Sequence, residues 1–116
     1  MSKKILMADD NATSRGNTEY MLAKAGFSYS SAKDGNEAWK LFQREKFHLL
    51  ILDQNMPGMT GLEILEGIRE GRRHRDVPVI IVSSEIETFD KPPKSIPAEC
   101  ERLGAQFLLR PLIRAE

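Results

Sequence analysis

The sequence predicts an α/β fold, a parallel β-sheet with helices on both of its faces. Three observations predict it. Short apolar runs recur at Lys4–Ala8, Leu49–Leu52, Val77–Val82 and Gln106–Leu109, with a weaker one at Ser28–Ala32. They are apolar at consecutive positions, as in strands covered on both sides. Helical patterns fall between them, and that alternation favours parallel pairing.

The elements follow in order. After the first run, Thr18, Met21, Leu22 and Ala25 have helical spacing, and Gly26 ends that segment. Its apolar stripe is thin, because Ser14, Asn17 and Thr18 are polar. After the weak second run, Asp34-Gly-Asn-Glu37 resembles a capping box, and Ala38, Leu41 and Phe42 form one face with Trp39 at its edge. After the third run, Thr60 is an N-cap with Glu63 three residues on, and Leu62, Leu65 and Ile68 form the next stripe. The fourth unit is irregular. Pro92, Pro93 and Pro97 exclude a long helix, which leaves a loop and then a helix of about two turns near Ala98–Leu103, capped by Ser95.

Composition narrows the function. The chain has 116 residues, which argues for a single domain over 1–116. Formal net charge is zero, from 17 basic and 17 acidic residues, unlike the one-signed surface of a nucleic-acid binder. The cluster Arg72-Arg73-His74-Arg75 reads as a solvated loop, and His48 and His74 have no metal-ligand partner at useful spacing. Cys100 is the sole cysteine, so there is no intrachain disulfide and no Cys-rich zinc site, and it reads as packed rather than reactive. The start MSKKILMADDN reaches acids too soon for a signal peptide, and no apolar run approaches membrane-spanning length. The expected setting is cytoplasmic.

The chemistry collects at the strand ends, where open parallel sheets bind ligands. The first strand ends at Asp9-Asp10, the third at Asp53, the fourth at Ser83-Ser84 and the fifth at Arg110-Pro111. Any one of these alone reads as a turn residue or a cap. Together they place three carboxylates, two hydroxyls and a guanidinium on one rim. Adjacent carboxylates repel and call for a cation, and oxygen-only ligands suit Mg²⁺. An aspartate there can be a phosphoryl acceptor.

The segments ILMADDN, LLILDQNMPGMTGLE, VPVIIVSSE and GAQFLLRP resemble the receiver domain of bacterial two-component response regulators. The resemblance spans Lys4 to Leu112. It implies a flavodoxin-like doubly wound sheet of five parallel strands, order 2-1-3-4-5, with five helices. It implies that Asp53 is the phosphoacceptor and that Mg²⁺ is the cofactor. Asp10 and Asp53 would bind Mg²⁺ through their side chains, Asn55 through its backbone carbonyl and Asp9 through water. Ser83 takes the switch-hydroxyl position and Phe107 the switch-aromatic position. Asn55 and Glu85 match positions that modulate dephosphorylation. Met56-Pro57 and Gly61 shape the loop after the acceptor. The implied function is a phosphorelay signalling switch, with no enzymatic activity beyond self-phosphorylation and self-dephosphorylation. Its implied partners are a sensor histidine kinase or phosphotransfer protein and an output protein.

Three departures stand out. Arg110 replaces the family's lysine, and a planar fork does not substitute freely for an ammonium; the resemblance also implies a cis bond to Pro111. The segment Glu85–Arg102 is lengthened and proline-rich, which reads either as an altered version of the family's signalling face or as a tolerated surface insertion. After Pro111 only LIRAE remains, so a fifth helix is largely absent. That predicts an apolar patch beside the first helix, with a second copy of the chain, a partner or further sequence as its cover. Two other functions compete. One is an interaction module that keeps the fold without phosphorylation-driven switching. The other is a Mg²⁺-dependent aspartyl-phosphate phosphatase, against which stand Asn55, where such enzymes carry a second aspartate, and the lack of room for a cap domain.

Overall fold

The computed structural model describes residues 3–83 and 95–109. Five strands form one parallel sheet: β1 (Lys4–Ala8), β2 (Ser28–Ala32), β3 (Leu49–Asp53), β4 (Val79–Ser83) and β5 (Gln106–Leu109). Their order is β2-β1-β3-β4-β5, as expected. The sheet is doubly wound and flavodoxin-like. Four helices connect the strands: α1 (Ala12–Lys24), α2 (Gly35–Arg44), α3 (Gly61–Glu70) and α4 (Ile96–Arg102). Glu85, Arg110, Pro111, the cis bond and the fifth helix lie outside the described residues.

The two faces of the sheet are unequal. Strand alternation sends Leu6, Ala8, Leu50, Leu52, Val79 and Ile81 to one side, where they meet Ala38 and Phe42 of α2, Ile64, Leu65 and Ile68 of α3, and Ile96 and Cys100 of α4. The other side is thin. Ile5, Met7 and Leu22 form its buried cluster, with Leu49 and Ile51 packed against it. α1 explains the difference, because Leu22 is its only buried side chain. Met21, which shares the helical spacing, is instead 64% exposed, and Leu108 on β5 is 42% exposed.

Several boundaries differ from the sequence reading. β3 runs one residue further, through Asp53, and β4 begins at Val79 rather than Val77. α4 starts at Ile96, two residues early, because Pro97 sits in the first turn, where its missing N–H costs nothing. The Asp34 box is not reciprocal. Asp34 accepts from the Glu37 N–H, but Glu37 reaches past it to the Lys33 N–H at 2.8 Å.

The Thr60 box is complete, with Glu63 N–H donating to Thr60 Oγ1 at 3.2 Å and Thr60 N–H donating to Glu63 Oε1 at 2.9 Å. Thr60→Ala is expected to lower stability by about 1 kcal/mol, read as a shifted urea midpoint with an unchanged slope. A midpoint equal to wild type would remove the cap from the account of α3.

At the amino-terminal edge of the sheet, Arg69 of α3 ties two loops together. Its guanidinium donates to the carbonyls of Arg75 and Val77 at 2.8 Å each. It also donates to those of Leu103 at 2.6 Å and Gly104 at 3.2 Å. Burial pulls its pKa below the ordinary arginine value, and Asp76 opposes that shift.

Candidate functional site

Parallel register sets the height of each strand end. Ala8 lies level with Leu52, and Asp53 with Val82. Asp9 and Asp53 are therefore neighbours at the carboxyl end of adjoining strands. Alternation puts Asp9 on the face of Met7 and Asp53 on the face of Ile51, the side that α1 covers. One oxygen from each of Asp9, Asp10 and Asp53 lies within 4.8 Å of the others. Asp9 is 2% exposed and Asp53 8%, while Asp10 faces solvent.

The bland reading of Asp9-Asp10 as a helix cap does not hold. The N-cap of α1 is Asn11, whose side chain accepts from the Ser14 N–H at 2.8 Å. Asp9 is instead held from three directions. Its carboxylate accepts from the Asn11 N–H at 3.0 Å and from the Ser14 hydroxyl. Its carbonyl accepts from Arg15 Nη1 at 2.9 Å.

The loop after Asp53 is fixed by Gln54, which is buried. Its Oε1 accepts from the Leu62 N–H at 2.8 Å and its carbonyl from the Gly61 N–H at 3.2 Å. Gly61 must lack a side chain, because a Cβ there would stand 2.8 Å from the Asp53 carbonyl oxygen. This close approach is what Gly61 contributes. Pro57 is exposed, and its carbonyl accepts from the Gly35 N–H at 3.1 Å. Asn55 is exposed on the same loop.

Ser83 is fully buried at the end of β4, level with Leu109 of β5. Phe107 is half-buried, level with Ile81, and packs against the larger core. Below Asp9 and Asp53 opens a mostly apolar cleft of about 160 Å³, lined by Met7, Thr18, Met21, Ile51, Val82 and Leu108. This is the side on which the sequence predicts an apolar patch. Cys100 is buried, and desolvation, then the Glu99 charge, pushes its thiol up to about 11. It is inert at neutral pH.

Three close carboxylate oxygens repel one another, and a divalent cation relieves that repulsion. Oxygen-only donors with one solvent-facing member suit Mg²⁺, which keeps several waters and takes few protein carboxylates. Among the described residues this is the one group of three or more acids, histidines or cysteines able to share an ion. The sequence reading missed Ser14, Arg15 and Gln54. Only the spacing of Ser14 behind the cap residue Asn11 offered a signal for any of them.

Residues 5–95 match the family described as response regulator receiver domain. Curated relatives agree. The chemotaxis protein CheY of Pseudomonas aeruginosa is 37% identical over 83 residues, which are 71% of this chain and 67% of that protein. The alkaline phosphatase synthesis transcriptional regulatory protein PhoP of Bacillus subtilis is 33% identical over 91 residues, 78% of this chain and 37% of that protein. The chain thus spans about two thirds of the first relative and little more than a third of the second. Among solved structures, the Vibrio cholerae chemotaxis protein CheY4 superposes with a TM-score of 0.80 at 30% identity, covering 96% of this chain and 88% of that one.

Proposed function

The chain belongs to the response regulator receiver domain family, and from that premise we propose that it is a phosphoacceptor switch in which Asp53 takes a phosphoryl group. Receiver domains are signalling modules of two-component and phosphorelay systems, and they meet histidine kinases or phosphotransfer proteins on one side and output domains on the other. The observation that carries the proposal is the meeting of Asp9, Asp10 and Asp53 at one edge of the sheet.

Each residue has a role on this reading. The Asp53 carboxylate attacks the phosphorus of a phosphohistidine, the P–N bond breaks, and an acyl phosphate forms on Asp53. The rigid β3 strand holds the nucleophile in place. Asp10 and Asp53 with the Asn55 carbonyl would hold Mg²⁺, and Asp9 would support it through water. Bound Mg²⁺ supplies positive charge against the transferring phosphoryl oxygens. Ser83 stands one residue beyond the strand position level with Asp53 and donates its hydroxyl to the phosphoryl group. Phe107 reports the change on the β4–β5 side. Arg110 supplies the opposing cation, while Asn55 and Glu85 set the lifetime of the acyl phosphate.

Titration with beryllofluoride and Mg²⁺, followed by amide NMR, tests the proposal. Saturable shifts at Asp53, Ser83 and Phe107 are expected. Mg²⁺ binding without any response to beryllofluoride would instead identify an interaction module that does not switch.

Ser14 gives a finer test. Its hydroxyl orients Asp9, and an outer hydrogen bond of this kind typically changes metal affinity about tenfold or more when lost. Ser14→Ala is expected to weaken Mg²⁺ by about that factor in a fluorescence or NMR titration, with Ser14→Thr close to wild type. Equal affinities in all three proteins would strip Ser14 of the role.

A further inference from the structure

At the amino-terminal edge of the sheet, opposite the acids, the chain forms a second polar concavity. A cleft of about 450 Å³ is lined by Phe47, His48, Arg72, His74, Arg75 and Asp76, among others. That volume lies within the range of small-molecule sites, although the concavity is shallow and Arg72, His74, Arg75 and Asp76 are all exposed along it. All four members of the cluster Arg72-Arg73-His74-Arg75 are exposed, and the fold sorts them between two surroundings. Arg73 turns away. It donates to the Phe42 carbonyl, reaches the Glu45 carbonyl at 3.2 Å, and lies over the Phe42 ring. Arg72, His74 and Arg75 line the cleft.

Among the described residues, the two guanidinium groups there form no ion pair. The three side-chain ion pairs among the described residues are Lys4–Glu45, Arg102–Glu66 and Arg102–Glu99, so neither Arg72 nor Arg75 has a carboxylate partner. Two guanidinium groups stand against the single carboxylate of Asp76. The Lys4 N–H donates to His48 Nδ1 at 3.0 Å, so the ring proton of neutral His48 sits on Nε2 as a further donor.

The backbone is also shaped for this. His74 has φ 49°, the one non-glycine residue with positive φ among those described. An L-residue pays roughly 1–2 kcal/mol there, a cost that glycine avoids. Such outliers persist where the surroundings over-determine them, and they cluster at functional sites. Here the surroundings are Arg69, whose bonds hold the carbonyls of Arg75 and Val77, and the Val77 N–H, which donates to the His74 carbonyl at 3.1 Å.

We propose that this cleft binds the phosphoryl group of a small phosphate ester, at a site separate from the Asp53 rim. The forks of Arg72 and Arg75 match phosphate oxygens, and the two imidazoles add single donors. Asp76 accepts from hydroxyls on the ester's organic part, so sugar phosphates and nucleoside monophosphates are the favoured class. Phe47 and Pro78 give that part an apolar wall.

The test is an amide NMR titration at fixed ionic strength with ribose 5-phosphate and adenosine monophosphate, and in separate arms with sulfate and a single-stranded DNA oligonucleotide. Both esters are expected to give saturable shifts confined to His48 and Arg72–Val77, with a dissociation constant on the order of 1 mM. The double variant Arg72→Ala/Arg75→Ala should weaken them at least tenfold, and Asp53→Ala should leave them unchanged. His74→Gly separates a binding role from a folding role, since it removes the imidazole and relieves the φ. Weaker ester binding with an equal or higher melting temperature supports the site. Shifts that do not saturate, that equal those from sulfate, or that survive the double variant overturn it. Saturable binding of the oligonucleotide without saturable binding of the esters overturns the small-ligand assignment in favour of a polyanion surface.

Discussion

Asp53→Ala is expected to abolish labelling by acetyl phosphate completely, while the wild type gains the mass of one phosphoryl group in the presence of Mg²⁺. The argument is positional. Asp53 is the last residue of a buried strand and 8% exposed, so no other carboxylate can move into its place. Asp9 is bound through both of its oxygens at the start of α1, and Asp10 points to solvent. The same variant should lose most of the stabilisation that Mg²⁺ gives the wild type. A ligand that binds only the folded state contributes about 2.7 kcal/mol at a hundred times its dissociation constant. For a chain of this size that is a rise in melting temperature on the order of 10 °C. Labelling of Asp53→Ala to wild-type extent would end the case for Asp53 as acceptor.

Gly35→Ala is expected to be the most destabilising single-methyl change among the described glycines. A Cβ at Gly35 would stand 1.8 Å from the Met59 carbonyl oxygen and 2.6 Å from its carbon. Both are backbone atoms and cannot swing aside. The start of α2 and the loop that follows Asp53 would have to separate, which also breaks the bond from the Gly35 N–H to the Pro57 carbonyl. Forced overpacking of this kind costs about 3 kcal/mol. A melting temperature lower by on the order of 10 °C should result. Because the displaced loop carries Asn55, Mg²⁺ affinity should fall with stability. A variant that melts within about 2 °C of wild type would show that the two segments are not pressed together as described.

Much of this architecture was legible in the residues. All five strands fall on the short runs, although β2 is a weak one and the edges of β3 and β4 shift by one or two residues, and Asp34, Thr60 and Ser95 cap α2, α3 and α4 as their side-chain chemistry suggests. The strand-end acids could be placed on one rim, because parallel strands all end on the same side. Other features were not legible, for physical reasons. α1 has a weak apolar face, so its span of Ala12–Lys24 and the exposure of Met21 depend on how little of it the sheet covers. The hold of Ser14 and Arg15 on Asp9 depends on how the first turn of α1 bends back over the strand end. Helical spacing does not encode that geometry. The grip of Arg69 was not legible either, because its four acceptors are backbone carbonyls in two loops. The basic cluster gave no sign that Arg73 would fold back while its neighbours face a cleft.

The fourfold grip of Arg69 makes the lower end of the domain behave as a fixed base. One planar group spans the turn before β4 and the turn before β5, so neither can shift without straining the other. A lysine there would bring a single ammonium point, too compact to serve carbonyls in both turns. On the proposed switch, freedom to rearrange would then be left to the opposite end of the same two strands, where Ser83 and Leu109 lie. A foundation that stays put would let a small displacement at the proposed working end become a change of surface shape instead of dissipating through the body of the molecule.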